Sequence, residues 1–384
     1  MLATGETARG ASVLRDAYVA RLDVARAAQR HGAGVVGLVG NIIPVELILA
    51  CGRVPVLIAA DQTQPTPNAD LYMEEVISPE TKSLFELACQ GDYEFLDLLI
   101  VSRPYAHLYY YLKEVYRLGR GPRFPRLHMY DLMQSQREAV RAYNWGQTAA
   151  LTEHLERLSG EEITEGRLRQ AIALTNRQRA LQRRLLERRW QGDLSGVAAM
   201  QAIGAAYFMP PAEYISALES YLADLPPDPA LDGRPRVLVV TSEPLGGTHL
   251  HAAVESAGAL VVAEDDCWGS RAPGADVPLA GSAKEAILRK YWLDTASPGV
   301  YPAAAREAWL TQHALRPDLD GVVFYLPPAD HQLGWDYPRL KGWLAAHDKP
   351  ALLLRLDATD PAAAVSIRAE TARFLATLPP RTSR

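Results

Sequence analysis

Three stretches of the 384-residue chain bring together residue types that do chemistry. PPADHQLGWDYPRLK, from Pro327 to Lys341, puts Asp330 and His331 directly behind DGVVFYL, an apolar and β-branched run that reads as a buried strand. EDDCWGSR groups Glu264, Asp265 and Asp266 with Cys267 and Arg271. Crowded carboxylates raise one another's pKa unless a cation offsets them. Arg271 therefore has two readings, an ion pair with Glu264 or Asp266 and a contact to substrate. SEPLGGTHLH offers the amides of Gly246 and Gly247 at a helix start as a phosphate cradle. It is neither a dinucleotide fingerprint nor a Walker loop, and a tight turn explains its glycines more simply. His249 and His251 do not stand one helical turn apart, so hydrogen-bonded histidines are expected rather than metal ligands. No Ser-His-Asp grouping and no HExxH motif points to a hydrolase.

Strands alternating with helices must position these stretches. GVVGLVG, from Gly34, reads as a strand, VELILACG after Pro44 as a helix and RVPVLIA as the next strand; FLDLLIVS then ends at Ser102 ahead of the aromatic helix YAHLYYYLKEVYRL. In that helix Tyr109, Leu112, Val115 and Tyr116 fall near one stripe, which Tyr105 and Leu108 extend, suited to a core or to a subunit contact. From about Gln134 to Ala223 the strand signal fades. Ser159 and Glu162 fit a capping box there, Leu168, Ile172 and Leu181 share a stripe, and the many arginines read as a solvated face. A proline-rich linker, DLPPDPALDGRPR, separates this part from RVLVVTS, ALVVAED, DGVVFYL and KPALLLRLD, where strand and helix alternate again. The expected fold class is α/β, with a lobe at 1–133, a helical connecting segment at 134–223, and a second lobe at 224–384 whose linker covers 224–236. Ligands of parallel sheets gather at the carboxyl ends of the strands. Asn41 to Glu46, Asp61 to Gln64, Ser102 to Tyr105, Ser242 to His249, Glu264 to Arg271, Pro327 to Trp335 and Asp357 are the positions this selects.

Composition excludes several classes. Apolar residues make up 48% and charged residues 22%, as in ordinary globular proteins, and a net charge of −5 argues against nucleic acid as a partner. Three cysteines, Cys51, Cys89 and Cys267, lie far apart with no CxxC, so neither a disulfide framework nor a zinc site is expected. Cys51 and Cys89 fall in expected helices as core residues. The opening residues lack the pattern of a signal peptide and no apolar run is long enough for a bilayer, which leads to an expected cytoplasmic location without a membrane partner.

Several segments in order resemble the iron–sulfur component of the 2-hydroxyacyl-CoA dehydratase and benzoyl-CoA reductase family. They are NIIPVELILACGRVPVLI, EEITEGRLRQAIALTNRQRALQRRL with its Asn176 and Arg179, GTHLHAAVESAGALVVAEDDCWGSR with Glu255 and Gly258, and DGVVFYLPPADHQLGWDYPRLKGWLAAHDKPALLLRLD. The likeness runs from about Gly34 to Phe374. It implies two flavodoxin- or Rossmann-like lobes around a cofactor cleft, pairing with a homologous subunit, a four-iron cluster in the cleft, and an ATP-dependent activator that supplies an electron for radical chemistry on a CoA thioester.

The family's three cluster cysteines fall here on Ser78, Ser102 and Asp330. Thiolates are soft and readily deprotonated ligands of iron, and serine hydroxyls are not. The resemblance then implies a chain without its own cluster, beside a cluster-bearing partner. Glu46 is the expected proton-handling group, with capping of its own helix as the alternative. Asn41, Gly247, His249 and Arg271 are the expected substrate contacts, and Asp330 a further pocket residue. Two other readings stay open: a catalytic chain with an atypical cluster or metal at Asp330, His331 and Cys267, and a non-enzymatic binding or scaffold protein. The closing segment SIRAETARF departs from the family pattern, with Arg368 or Arg373 as substitutes for its thioester or cluster-edge contacts.

Overall fold

The structure, a computed structural model, describes residues 3–119, 124–223, 225–242, 245, 247–294, 304–328 and 330–381, with the side chains of 3–8, 305 and 331 outside that description. Gly246 and the imidazole of His331 therefore lie outside the described residues. Runs of Val, Leu and Ile form two parallel sheets. The first contains β1 (Val35–Val39), β2 (Val54–Leu57), β3 (Leu98–Ser102) and β4 (Arg126–Tyr130), in the order β2-β1-β3-β4. The second contains β5 (Arg236–Val240), β6 (Leu260–Glu264), β7 (Gly321–Tyr325) and β8 (Ala351–Leu354), in the order β6-β5-β7-β8. In each sheet the first strand pairs with both the second and the third, Val36 opposite Pro55 and Leu98 in one lobe, Val237 opposite Val261 and Gly321 in the other. The order in which strands are added thus reverses beside each first strand, which opens a crevice at the carboxyl ends.

Helices Glu138–Ser159, Glu165–Gln191, Gly196–Gly204 and Pro211–Ala223 follow the first sheet. Helix Ala3–Ala20 packs along Pro211–Ala223 at Gly10, where a Cβ would stand 2.7 Å from the Tyr221 amide nitrogen, so the crossing requires glycine. No helix among the described residues is long and apolar enough to cross a membrane.

Four local expectations change. Ser159 ends a helix instead of capping one, because Gly160 takes φ 73° and stops it; Thr164 caps the next helix by accepting from the Arg167 amide. In helix Ala106–Arg117 the buried stripe is Leu108, Leu112 and Val115, while Tyr116, one position past the stripe, is 65% exposed. Strand β4 has no counterpart in the sequence reading, since RLHMY is a half-buried edge segment with polar residues at alternate positions.

The fourth change organises the molecule. Arg179 and Arg189 on helix Glu165–Gln191 are buried, not part of a solvated face. Arg189 is fully enclosed, with Nη1 and Nη2 at 3.0 and 2.5 Å from the two oxygens of Glu264 and Nε donating to the Val261 carbonyl at 2.8 Å. His251 Nε2 lies 2.9 Å from Glu264 Oε2, and Ser270 donates through N and Oγ to Oε1. Burial alone raises a carboxyl, but the Arg189 charge and these bonds hold Glu264 well below its usual range. The helical segment is thereby bolted to the end of β6. Arg189→Met leaves Glu264 charged and enclosed and is expected to cost about 3–5 kcal/mol in urea unfolding, while Arg189→Met combined with Glu264→Gln costs less than the single change.

Candidate functional site between the lobes

The short helix Val45–Ala50 follows β1, and its first-turn residue Glu46 is fully buried. Three side chains from elsewhere bond it: Arg179 Nη2 at 2.5 Å and Thr175 Oγ1 at 2.9 Å on Oε1, and Tyr291 OH at 2.8 Å on Oε2. Asn176 holds Arg179 Nη1 at 2.9 Å and is itself clamped to both backbone groups of Val277. Burial raises Glu46, yet Arg179 outweighs it and the carboxyl stays below the usual value. Glu46 is therefore a fixed counter-ion, one layer behind the wall of the adjacent cavity.

That cavity, of about 130 Å³, lies between β1, helix Glu165–Gln191 and the turn after β6. Asn41, Arg179, Tyr207, Cys267, Arg271 and Lys290 line it. Arg271 does not pair with Glu264 or Asp266. Its Nη1 stands 2.9 Å from Asp265 Oδ1, and its guanidinium lies 4.8 Å over the Trp309 ring. Glu264 is taken by Arg189, and Asp266 is taken by the amides of Leu245 and Trp268, so Asp265 alone is left for Arg271. Arg306 bonds the other oxygen of Asp265 at 2.8 Å. The carboxylate crowding read from EDDC is resolved unequally: burial, with Glu264 nearby, pushes Asp266 up to about 7. Burial also pushes the Cys267 thiol well above its usual value.

A second cavity of about 200 Å³ opens where the carboxyl ends of the two sheets face each other, lined by Ser78, Glu80, His249, Tyr325, Asp330 and Asp357. An open groove of about 790 Å³ shares His249 and also holds Gln62 and Arg368. His249 is exposed, whereas His251, two residues on, is buried against Glu264. Gly247 lines none of these spaces and sits in a turn where a Cβ would meet His249 Cδ2 at 3.2 Å. The structure thus separates the expected site residues: Asn41 and Arg271 in one cavity with Glu46 behind it, Ser78, His249 and Asp330 in the other.

The three positions that the family resemblance sets against cluster cysteines are occupied as follows. Ser78 caps helix Pro79–Cys89, accepting from the Thr81 amide and donating to Thr81 Oγ1 at 3.0 Å. Asp330 caps helix His331–Ala345, accepting from the Leu333 amide at 2.9 Å and from the amide and hydroxyl of Ser242. Ser102 is fully buried, its hydroxyl without a hydrogen-bond partner, and packed so closely under Gly40 that a Cβ there would collide with it. Two of the three oxygens are committed to helix caps and the third is a neutral hydroxyl. This donor set does not fit a four-iron cluster. Among the described residues no group of three or more His, Cys, Asp or Glu side chains is placed to hold a metal ion.

Sequence reasoning missed Thr175, Lys290 and Tyr291. Tyr291 meets Glu46 across 245 positions of chain, and nothing near RKYWL marks it. The Asn176 and Arg179 pair was legible through the resemblance alone.

The profile of the family described as 2-hydroxyglutaryl-CoA dehydratase, D-component, matches residues 41–374. YjiM of Escherichia coli (strain K12), which bears a provisional dehydratase-subunit name, is 27% identical over 79% of this chain and 80% of its own. The (R)-phenyllactyl-CoA dehydratase beta subunit of Clostridium sporogenes is 20% identical over 86% of this chain and 88% of its own. For (R)-2-hydroxyglutaryl-CoA dehydratase, subunit beta, of Acidaminococcus fermentans, the values are 21%, 85% and 88%.

Arg179→Met strands a buried carboxylate and is expected to lower stability by about 3–5 kcal/mol, with part of the loss recovered in Arg179→Met/Glu46→Gln. The sign with pH follows from the lowered carboxyl: stability from Glu46 is present above the ordinary carboxylate value and lost as pH falls through the folded one. Glu46→Gln is expected to flatten that acid limb in urea titrations between pH 6 and pH 3.

Proposed function

Since the chain belongs to the 2-hydroxyglutaryl-CoA dehydratase D-component family, we propose that it is a subunit of a 2-hydroxyacyl-CoA dehydratase-type complex without a four-iron cluster of its own. In this reading a homologous, cysteine-bearing partner carries the electron site, and an ATP-dependent activator charges it. The substrate is a CoA thioester, handled by the radical chemistry of the family, for dehydration or for ring reduction. The observation that carries the proposal is the use of Ser78 and Asp330 as helix caps where the family places thiolates. The beta-subunit names of the two dehydratase relatives support a partner.

This chain's own residues supply walls and positioning. His249 and Arg368 border the open groove, whose volume of about 790 Å³ leaves room for a polar ligand such as the CoA arm. Asn41 and Arg271 line the enclosed cavity as acyl contacts. Glu46 holds Arg179 in that wall. Asp266, whose carboxyl burial raises to about 7, is a second buried acid, held by the Leu245 and Trp268 amides.

The alternative catalytic site at Asp330, His331 and Cys267 has less support. Cys267 and Asp330 line different cavities, and Asp330 is already committed to three donors. A scaffold protein would lack a stoichiometric sister subunit. Anaerobic purification from the native host is expected to yield a complex in which iron and sulfide track the partner, while the chain expressed alone and reconstituted with iron and sulfide stays colourless. A cubane bound to this chain alone would end the proposal.

A further inference from the structure

A series of side-chain bonds joins edge strand β4 to helix Glu138–Ser159, and one of them titrates. Asn144 binds both backbone groups of Met133, accepting from the amide at 2.9 Å and donating to the carbonyl at 2.8 Å. Thr148, one turn on, gives its proton to the Asn144 carbonyl, so Tyr130 OH donates to Thr148 Oγ1 at 3.0 Å. His154 closes the series: its Nδ1 stands 3.0 Å from His128 Nδ1, with the ring centres 5.1 Å apart. β4 has a neighbouring strand on one side only, His128 opposite Ile100, so contacts to helices carry much of its attachment. Of the two facing Nδ1 atoms one donates and the other accepts. His128 Nε2 is buried without a partner. Any added proton therefore leaves an N–H at that nitrogen with nothing to accept it, and a second puts two N–H groups face to face.

We infer that His128 and His154 form an acid-released latch, which fastens β4 to helix Glu138–Ser159 at neutral pH and lets the strand part from it in mild acid, ahead of global unfolding. The charges around the pair favour release. Among the described residues no carboxylate bonds either ring. Arg126 on β4 and Arg157 on the helix act on it, and Glu153 stands 3.6 Å from Arg157. Asp97, ahead of β3, pairs with Arg53; on helix Ala106–Arg117, which packs on β4, Glu114 pairs with Arg117 and Lys113 is exposed. Burial, then His154 and Arg157, push His128 down to about 4, and burial with the two arginines lowers His154. Imidazoles lowered in the fold contribute fully above the ordinary histidine value of about 6.5 and lose that contribution as pH falls toward the folded one. At pH 5 the latch is already weakened, while ordinary carboxylates are still ionised. Tyr130 stands opposite Ser102, so a parted β4 leaves the crevice end of β3 without its neighbour.

Neither histidine lines a cavity of the candidate site, so the inference stands apart from the proposed function. The experiment is hydrogen exchange of the full chain at pH 7 and pH 5, read by mass spectrometry on the peptide carrying Arg126–Tyr130 and corrected for intrinsic rates. Protection of β4 is expected to fall by about tenfold or more at pH 5 relative to that of β2, the opposite edge strand, which contains no histidine. His128→Phe fills the same space without a proton to gain and is expected to hold β4 protection level between the two pH values. His128→Leu takes its place where that variant fails to fold, and the melting temperature of each is measured first; the wild-type comparison stands without either. Unchanged β4 protection in the wild-type chain, an equal fall in β2, or a folded variant that keeps the wild-type pH dependence would each overturn the inference.

Discussion

Two buried arginine–glutamate pairs on one helix set the geometry on which the rest depends. Arg179 reaches Glu46 at the start of the helix after β1, and Arg189 reaches Glu264 at the end of β6. A helix is rigid over such a span, so the two pairs stand roughly 15 Å apart along its axis and hold the crevices of both sheets at a fixed separation. Buried pairs of this kind are weak evidence for net stability but exact a large penalty when either partner is lost. Their role here is registry: each carboxylate marks the carboxyl end of one sheet, and the helix measures the gap.

The same crevice is edged by helix caps. At Ser78 and Asp330, positions that the family resemblance sets against cluster cysteines, a side-chain oxygen accepts a backbone amide at a helix start. A cap is satisfied by N–H donors and gains nothing from iron. Ser78 and Asp330 therefore tie down the two helix ends. Ser242 joins in, bonding Asp330 from the end of β5, so the cap also fastens the two strand ends together.

Charge is distributed unevenly across the crevice. Cations line the enclosed cavity, while Glu80, Asp330 and Asp357 line the larger one. Burial is the common cause: it raises Asp266 and Cys267 and lowers Lys290, each toward its neutral form. Glu46 and Glu264 go the other way only because an arginine is bonded to each.

Two parallel sheets were legible in the sequence, apart from the half-polar edge strand β4, because apolar β-branched runs alternating with helical periodicity have few other ways to bury themselves. So was the absence of sulfur at Ser78, Ser102 and Asp330, since residue type is written in the chain. The partner of each charge was not. Arg179 and Arg189 share a helix with exposed arginines such as Arg177 and differ from them only by which face meets the lobes. Arg271 found Asp265 rather than its neighbours because those were already bonded by groups from distant elements. Local spacing determines elements and ligand chemistry; long-range contacts such as Tyr291 with Glu46 decide which carboxyl stays ionised, which cation faces a cavity and which residues share one, because burial and neighbouring charge exist only after the lobes have closed.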